Sequence, residues 1–229
     1  MKRVSIRWVT AGRALWRRAW WGYGLLALFV NVTAAAAMDT TPIHILAFGD
    51  SLTAGYNLPA ANAFPVRLEA ALKLKGYQVR ITNAGVSGDT TAGGRARLDW
   101  ALADRPDFAI VELGANDALR GLAPNLAYEN LDAILDTLAS RHVKVLLAGM
   151  LAPRNMGASY SNDFDAIYPR LAAKWKVPLY PFFLDGVTLH PELTLPDGMH
   201  PNPQGVDRIV AGILPAVEAL LGPTPKAAP

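Results

Sequence analysis

Cysteine is absent from this sequence of 229 residues. Its absence excludes disulfide bonds, a thiol nucleophile and thiolate metal sites, but leaves the compartment open, because exported proteins can fold without disulfides. Histidine is scarce, with four residues and no His-x-x-x-His pair. Two histidine ligands one helical turn apart are therefore excluded, and the sequence predicts no metal site.

Nucleotide-binding motifs are also missing. The chain has no G-x-x-x-x-G-K-[ST] segment, and its glycine-rich segment GVSGDTTAGG lacks the spacing of a dinucleotide fingerprint. Acidic residues are absent before Asp39, whereas six of the 22 basic residues lie there. Residues 38–229 consequently carry 16 basic and 19 acidic residues, a formal charge of −3. This balance gives no electrostatic support to nucleic-acid binding.

The first 37 residues have the layout of a cleavable export signal. Basic residues precede an apolar stretch, AWWGYGLLALFV at residues 19–30, which is followed by TAAAAM at 33–38. Cleavage after Ala36 or Ala37 satisfies the small-x-small rule. We therefore expect a signal peptide over residues 1–37 and a periplasmic or secreted protein. The alternatives are an uncleaved leader that anchors the chain in the membrane, and twin-arginine export through Arg17-Arg18.

Apolar runs alternate with amphipathic stretches from residue 43 onward. The sequence predicts strands over residues 43–48, 78–82, 108–113, 143–150 and 178–182. It predicts helices over residues 66–75, 98–102, 126–141, 164–175 and 206–220, the last kinked or ended early by Pro215. This alternation indicates an α/β protein with a parallel sheet covered on both faces. We expect one domain over residues 38–221 and a disordered tail over 222–229.

Polar, glycine-rich loops follow three of the predicted strands: GDSLTAG, GVSGDTTAGG and GANDALRG. Ligands of parallel sheets bind at the carboxyl ends of the strands, so Ser51, Gly88 and Asn116 are expected to meet there. Ser51 could be a nucleophile, with the Gly88 N–H and the Asn116 amide as donors to an oxyanion. Each residue alone has a simpler interpretation: a helix N-cap, a turn glycine and a capping asparagine.

Asp197 and His200 are three residues apart in the turn-rich segment LPDGMHPNPQG. At this spacing the carboxylate can accept a hydrogen bond from the imidazole Nδ1–H and leave Nε2 to face a nucleophile. The alternative is a loop in which Asp197 is a turn residue and His200 is a polar surface group.

Four segments resemble, in order, the four blocks of the SGNH (GDSL) hydrolases: FGDSLTAGYN, the glycine of NAGVSGDT, the asparagine of ELGAND, and DGMHPN. The resemblance extends over residues 43–221 and is greatest to the branch of periplasmic acyl-CoA thioesterases, lysophospholipases and arylesterases. It implies a flavodoxin-like three-layer α/β/α sandwich and no cofactor.

The same resemblance implies the role of each site residue. Ser51 would be the nucleophile, His200 the general base and acid, and Asp197 the residue that orients the imidazole. The oxyanion hole would consist of the Ser51 and Gly88 N–H groups and the Asn116 amide. Asp50 lies outside this triad, and we interpret it as a structural acid that holds the nucleophile loop.

Three other functions remain to be weighed. An α/β-hydrolase is disfavoured because its nucleophile elbow requires G-x-S-x-G, whereas Thr53 occupies the last position here. A non-catalytic exported lipid- or glycan-binding module and a carbohydrate O-acetylesterase are the others.

We expect a serine esterase that acts on small-molecule acyl esters and thioesters and meets the membrane only transiently, through its signal or a lipid substrate. Leu119, Leu122 and Met156 are predicted to line an acyl groove, although ordinary packing would also explain them.

Overall fold

The computed structural model describes residues 41–224, and these residues contain a five-stranded parallel sheet. The strands are β1 (Ile43–Gly49), β2 (Val79–Gly85), β3 (Phe108–Glu112), β4 (Lys144–Ala148) and β5 (Leu179–Tyr180). Their order is β2-β1-β3-β4-β5, and every neighbouring pair is parallel. The predicted α/β class with a flavodoxin-like parallel sheet is confirmed.

Eight helices connect or follow these strands within residues 41–224. They are α1 (Ser51–Ala54), α2 (Phe64–Leu74), α3 (Thr91–Ala101), α4 (Ala115–Leu119), α5 (Pro124–Ser140), α6 (Ala158–Asp165), α7 (Ile167–Trp175) and α8 (Pro203–Leu221). Helix α2 packs against α8, and α5 packs against both α3 and α7. The two groups cover opposite faces of the sheet and complete the three layers.

The core follows the periodicity of the sequence. All five residues of β3 are buried, as is the Leu131, Ile134, Leu135 and Leu138 face of α5. Helix α8 buries residues at the same spacing, from Val206 to Val217. Helical spacing places these side chains on one stripe that faces the sheet.

One helical prediction is wrong in detail, and for another the structure excludes one of two alternatives. The helix expected over residues 164–175 is two helices, α6 and α7, which meet at Ala166. Helix α8 does not end at Pro215. A proline removes the hydrogen bond to the carbonyl four residues earlier, here that of Ala211. Both residues are exposed, so water can hydrate that carbonyl and the helix can continue.

The strand order places the functional loops. The chain moves from β1 outward to β2 and then returns to β3 on the other side of β1. This reversal opens a crevice at the carboxyl ends of the strands, where α/β proteins bind their ligands. The loops after β1, β2 and β3 therefore meet at one edge.

The predicted signal peptide lies outside the described residues. Of the predicted tail, residues 222–224 are described, and the Tyr77 hydroxyl donates to the Gly222 carbonyl at 3.0 Å. No helix within residues 41–224 has both the length and the apolar character required to cross a bilayer.

Candidate active site

The candidate nucleophile begins a helix. Ser51 is separated from β1 by Asp50 alone and is the first residue of α1, so its backbone N–H lies outside the intrahelical hydrogen bonds. Asp50 caps this helix, and its carboxylate accepts a hydrogen bond from the Leu52 N–H at 3.0 Å. A side chain at Gly49 would overlap with the Thr53 hydroxyl, so only glycine permits this tight strand-to-helix turn.

The candidate base lies against Ser51. His200 Nδ1 lies 2.7 Å from Asp197 Oδ2, and His200 Nε2 lies 2.9 Å from Ser51 Oγ. An ionised carboxylate only accepts hydrogen bonds, so Nδ1 carries the proton and Nε2 accepts from the serine hydroxyl. The structure thus brings together three residues that lie up to 149 positions apart in the chain.

The loop around Asp197 keeps the carboxylate ionised. Burial alone would raise the pKa of Asp197, but hydrogen bonds from the His200 and Met199 backbone N–H groups and from the imidazole lower it to about 2. Both backbone bonds are 3.0 Å long. The loop is closed by a 2.7 Å bond from the Leu195 N–H to the His200 carbonyl. The carboxylate is therefore available to His200 throughout the neutral range.

Gly88 lies in the loop after β2 with a φ of +84°, a conformation that glycine adopts without strain. Its carbonyl accepts a hydrogen bond from Arg120 Nη2 at 2.7 Å. Arg120 follows α4 and therefore ties the Gly88 loop to the loop that contains Asn116. Sequence reasoning missed this arginine because nothing local indicates its direction.

The Asn116 amide lies between two acceptors. Its Nδ2 donates to Asp50 Oδ2 at 3.1 Å and to the Asp89 carbonyl at 2.9 Å. Both amide hydrogens are therefore engaged in this structure. An oxyanion bound by Asn116 would have to share or replace one of these acceptors.

Two buried carboxyl groups support the turn from below. Asp50 and Glu112 are each 0% exposed. Burial raises the pKa of Asp50 to about 6, although hydrogen bonds from Leu52 and Asn116 oppose the shift. Burial, and then the charge of Asp50, raise the pKa of Glu112 well above its usual range. Two adjacent buried carboxyls resist double ionisation, so burial and the charge of Asp50 both favour the protonated form of Glu112.

Glu112 also fixes the turn by hydrogen bonding. Thr53 Oγ1 donates to its Oε2 at 2.8 Å, while Oε1 has no partner among residues 41–224. The sequence contained a signal for this group: Glu112 is an acidic residue at the end of an otherwise apolar strand, FAIVE.

Arg97 of α3 braces the ends of β1 and β2. Its Nε lies 2.5 Å from Asp89 Oδ2. Its Nη1 donates to the Ala84 carbonyl and its Nη2 to the Gly49 carbonyl, both at 2.9 Å. The guanidinium also lies over the Phe48 ring, 4.3 Å from the centroid. Arg97 thereby connects the nucleophile turn to the Gly88 loop, another contact that sequence reasoning missed.

The three residues predicted for an acyl groove lie in or beside two adjoining loops: Leu119 ends α4 and Leu122 lies in the loop that follows it, whereas Met156 lies in the loop between β4 and α6. Leu119 is 54% exposed and Leu122 is 37% exposed, whereas Met156 is half-buried. A Cβ at Gly121 would lie 3.1 Å from Met156 Cε, and the Tyr160 hydroxyl donates to the Leu122 carbonyl at 2.8 Å. The two loops therefore touch, and a role in acyl binding stays a prediction.

Other features of the described residues do not compete with this site. A cavity of about 680 Å³ lies at the opposite edge of the sheet, between Thr41 and Lys144, and contains none of the candidate residues. Residues 41–224 contain no cluster of three or more His, Asp or Glu side chains that could hold a metal ion.

Known proteins resemble this chain in sequence and in fold. The sequence model of the GDSL-like Lipase/Acylhydrolase family matches residues 47–208. The chain is 39% identical to an arylesterase of Vibrio mimicus over 180 residues, 78% of this chain and 88% of that protein. It is 40% identical to the thioesterase 1/protease 1/lysophospholipase L1 of Escherichia coli (strain K12) over 183 residues, 80% of this chain and 85% of that one.

Among solved structures, the SGNH-hydrolase family esterase AlinE4 is 48% identical. It aligns with a TM-score of 0.67 over 80% of this chain and 98% of its own.

Proposed function

The chain belongs to the GDSL-like lipase/acylhydrolase family and is a carboxylic ester hydrolase; from this premise we propose that it cleaves acyl esters and thioesters through Ser51, His200 and Asp197. The resemblance to the SGNH (GDSL) hydrolases is confirmed. The alternative of a non-catalytic binding module is therefore excluded. The observation that carries the proposed mechanism is the hydrogen-bonded line from Asp197 through His200 to Ser51.

Acylation begins with attack of Ser51 Oγ on the substrate carbonyl carbon. His200 Nε2 accepts the hydroxyl proton as the C–O bond forms, and the adjacent Asp197 carboxylate stabilises the imidazolium. The tetrahedral intermediate then expels the alcohol or thiol, which takes its proton from His200. An acyl-enzyme ester on Ser51 remains.

Deacylation repeats these steps with water as the nucleophile. His200 removes a proton from the water as it attacks the acyl-enzyme carbonyl, and returns a proton to Ser51 Oγ as the acid leaves. Every proton transfer passes through His200 Nε2, so this mechanism needs only one base.

The oxyanion of each intermediate would lie between the Ser51 N–H, the Gly88 N–H and the Asn116 amide. The Arg120 bond to the Gly88 carbonyl and the Asp50 bond to the Asn116 amide hold two of these donors in place. A donor held in place before the reaction, such as the Gly88 N–H, stabilises developing charge without a reorganisation cost, whereas the Asn116 amide must share or exchange one of its two acceptors.

The triad is tested by replacing Ser51 with alanine. We expect Ser51→Ala to lower kcat for p-nitrophenyl butyrate at least about 10³-fold, because no other group forms the acyl-enzyme. Ser140→Ala is the matched control, since that serine is exposed and bonds only to the Thr137 carbonyl at the far end of α5. Full activity in a folded Ser51→Ala protein, with its melting temperature unchanged, would exclude the mechanism.

The substrate class is tested with acyl esters and acyl thioesters from C2 to C16. A groove lined by Leu119, Leu122 and Met156 predicts that kcat/KM rises with chain length and then levels off. Equal rates at every length would argue against a defined acyl groove. Deacetylation of acetylated glycans without turnover of longer acyl esters would favour the O-acetylesterase alternative.

Export from the cytoplasm is a further part of the proposal. A signal over residues 1–37 predicts that the full chain, expressed in a Gram-negative host, accumulates outside the cytoplasm with a new N-terminus after Ala36 or Ala37. Intact-mass measurement of the purified protein tests this. A full-length mass in the membrane fraction would instead support the anchored alternative.

A further inference from the structure

Tyr56 lies against the face of the candidate base. Its ring centroid is 4.5 Å from the centroid of the His200 imidazole, and the two planes are inclined by 36°. The edges of the imidazole are occupied by Asp197 at Nδ1 and Ser51 at Nε2. Tyr56 therefore supplies a third contact with the same ring, from a direction that neither hydrogen bond controls.

The backbone ties Tyr56 to the nucleophile. The Gly55 and Tyr56 N–H groups both donate to the Ser51 carbonyl, at 3.2 and 3.1 Å. Gly55 has a φ of +82°, and a Cβ there would lie 2.7 Å from Ala63 Cβ. This turn therefore has little freedom, and the backbone of Tyr56 is held at a constant position relative to Ser51.

An aromatic ring at this distance acts on the imidazole in two ways. Its face carries partial negative charge, which attracts a cation within about 6 Å of the centroid. His200 becomes cationic only when it has taken the proton from Ser51 Oγ, so this attraction is stronger in the transition state than in the resting enzyme. The ring also prevents rotation of the imidazole out of the plane that its two hydrogen bonds define.

We propose that Tyr56 is a positioning residue whose ring face holds the His200 imidazole towards Ser51 and stabilises the imidazolium formed during acylation. This inference rests on the proposed function, because it requires His200 to be the base. The phenol hydroxyl has no part in it. The proposal therefore distinguishes Tyr56→Phe, which keeps the ring, from Tyr56→Leu, which keeps only apolar bulk.

The test measures kcat and KM for p-nitrophenyl butyrate in both variants. We expect Tyr56→Leu to lower kcat three- to tenfold with KM changed less than twofold, and Tyr56→Phe to restore kcat to within twofold of the wild type. Tyr128→Leu is the matched control, because Tyr128 is a half-buried tyrosine on α5 whose ring lies 4.6 Å from the Arg170 guanidinium, away from the site.

A second measurement isolates nucleophile activation. Diethyl p-nitrophenyl phosphate reacts by formation of a bond from Ser51 Oγ to phosphorus and loss of p-nitrophenolate, with the serine proton passing to His200. The rate constant of inactivation should fall in Tyr56→Leu by the same factor as kcat and recover in Tyr56→Phe. Circular dichroism and thermal unfolding identify any variant that has lost its fold, and Tyr56→Met is then the substitute for Tyr56→Leu.

The outcomes separate the two proposals. If wild-type Ser51 is not labelled by the phosphate ester, the proposed function fails. If Ser51 is labelled but Tyr56→Leu reacts at the wild-type rate, only the role of Tyr56 fails. A loss in Tyr56→Phe equal to that in Tyr56→Leu would assign the effect to the hydroxyl and would also overturn the role of the ring.

Discussion

Asp197 has two tasks that the structure assigns to different oxygens. Its Oδ1 accepts from the backbone N–H groups of Met199 and His200, whereas its Oδ2 faces the His200 imidazole. One oxygen thus holds the loop and the other selects the imidazole tautomer. A neutral amide at this position can perform the first task but not the second.

Asp197→Asn should therefore fold and lose activity. The new amide can accept the two backbone bonds through its oxygen, but its NH₂ group faces Nδ1 and favours the wrong tautomer. We expect kcat for p-nitrophenyl butyrate to fall about 10²- to 10⁴-fold with little change in the melting temperature. Retention of more than a tenth of wild-type kcat would remove Asp197 from the proposed triad.

Asn116 can be tested at the same scale. Asn116→Ala removes one of the three proposed oxyanion donors, so kcat should fall about 10²- to 10³-fold while KM changes little. Asn130→Ala serves as the control, since this amide contacts Arg95 and Thr91 on the α3 side of the sheet. An equal loss in both variants would indicate a general structural effect.

The raised pKa of Asp50 makes the free energy of unfolding depend on pH. The pKa of about 6 lies above the usual 3.8, so the folded state binds this proton more tightly than the unfolded state. The stabilising contribution is therefore complete below about pH 4 and is lost as pH rises through 6.

We expect the difference in unfolding free energy between wild type and Asp50→Asn to fall by an amount on the order of 2 kcal/mol between pH 4 and 7. Urea unfolding at each pH measures it. The pKa of His44 is lowered by burial and by Arg80, so its pH-dependent contribution to stability has the opposite sign. This contribution is present in both proteins and cancels in the difference between them. A difference that is independent of pH would contradict the raised pKa of Asp50.

Among the elements, helix α8 packs against α2 and also contacts, through its N-cap, the segment beside the His200 loop. Its N-cap, Asn202, accepts from the Gly205 N–H at 3.0 Å and donates from Nδ2 to the carbonyls of Glu192 at 2.8 Å and Thr194 at 3.3 Å. These carbonyls belong to the segment that pairs with the His200 loop, where Thr194 and Pro201 form a bridge. The start of α8 therefore anchors the base.

Asn202→Ala should lower both stability and activity. Loss of an N-cap costs about 1 kcal/mol, and loss of the two bonds to the loop should reduce kcat several-fold by loosening His200. Asn202→Asp restores the cap but not the donors, so it should recover stability without recovering kcat. Urea unfolding and steady-state kinetics on the three proteins measure the two effects separately, and equal recovery of both in Asn202→Asp would argue against the anchoring role.

For the whole molecule, the sequence predicts the architecture because its signal is spread over many residues. The apolar strands and the Leu131-to-Leu138 stripe each repeat one pattern several times, so a single ambiguous residue does not alter the result. The grouping of Ser51, Gly88 and Asn116 at one edge followed from the topology, since carboxyl ends of parallel strands lie together.

The contacts of Tyr56, Arg120 and Arg97 could not be predicted in the same way. Each depends on the direction of one side chain across a gap between loops, which is determined only when the surrounding elements have packed. The division of residues 164–175 into two helices has a local cause that the periodicity of apolar residues does not reveal. Pro169 has no N–H to donate to the Asp165 carbonyl, so a continuous helix would lose that bond, whereas a proline is tolerated in the first turn of a helix that begins at Ile167.

The core joins α8 to α2 within one layer of the fold. Ile209 of α8 is 0% exposed and belongs to the same cluster as Leu68 and Leu72 of α2. We expect Ile209→Ala to lower the unfolding free energy by about 2–5 kcal/mol, because truncation leaves a cavity. Leu74→Ala, at a position 90% exposed, should change it by less than about 0.5 kcal/mol. Equal effects, measured by urea unfolding, would contradict the packing described.

The separation of 149 residues between Ser51 and His200 has a consequence for synthesis of the chain. The ribosome releases the serine, the Gly88 loop and Asn116 long before the base and the helix that anchors it. If the proposed mechanism holds, a nascent or C-terminally truncated chain has the nucleophile without its proton acceptor and does not cleave acyl esters. In that case hydrolytic activity appears only after the last segment of the chain has been translated, and the order of translation itself delays it.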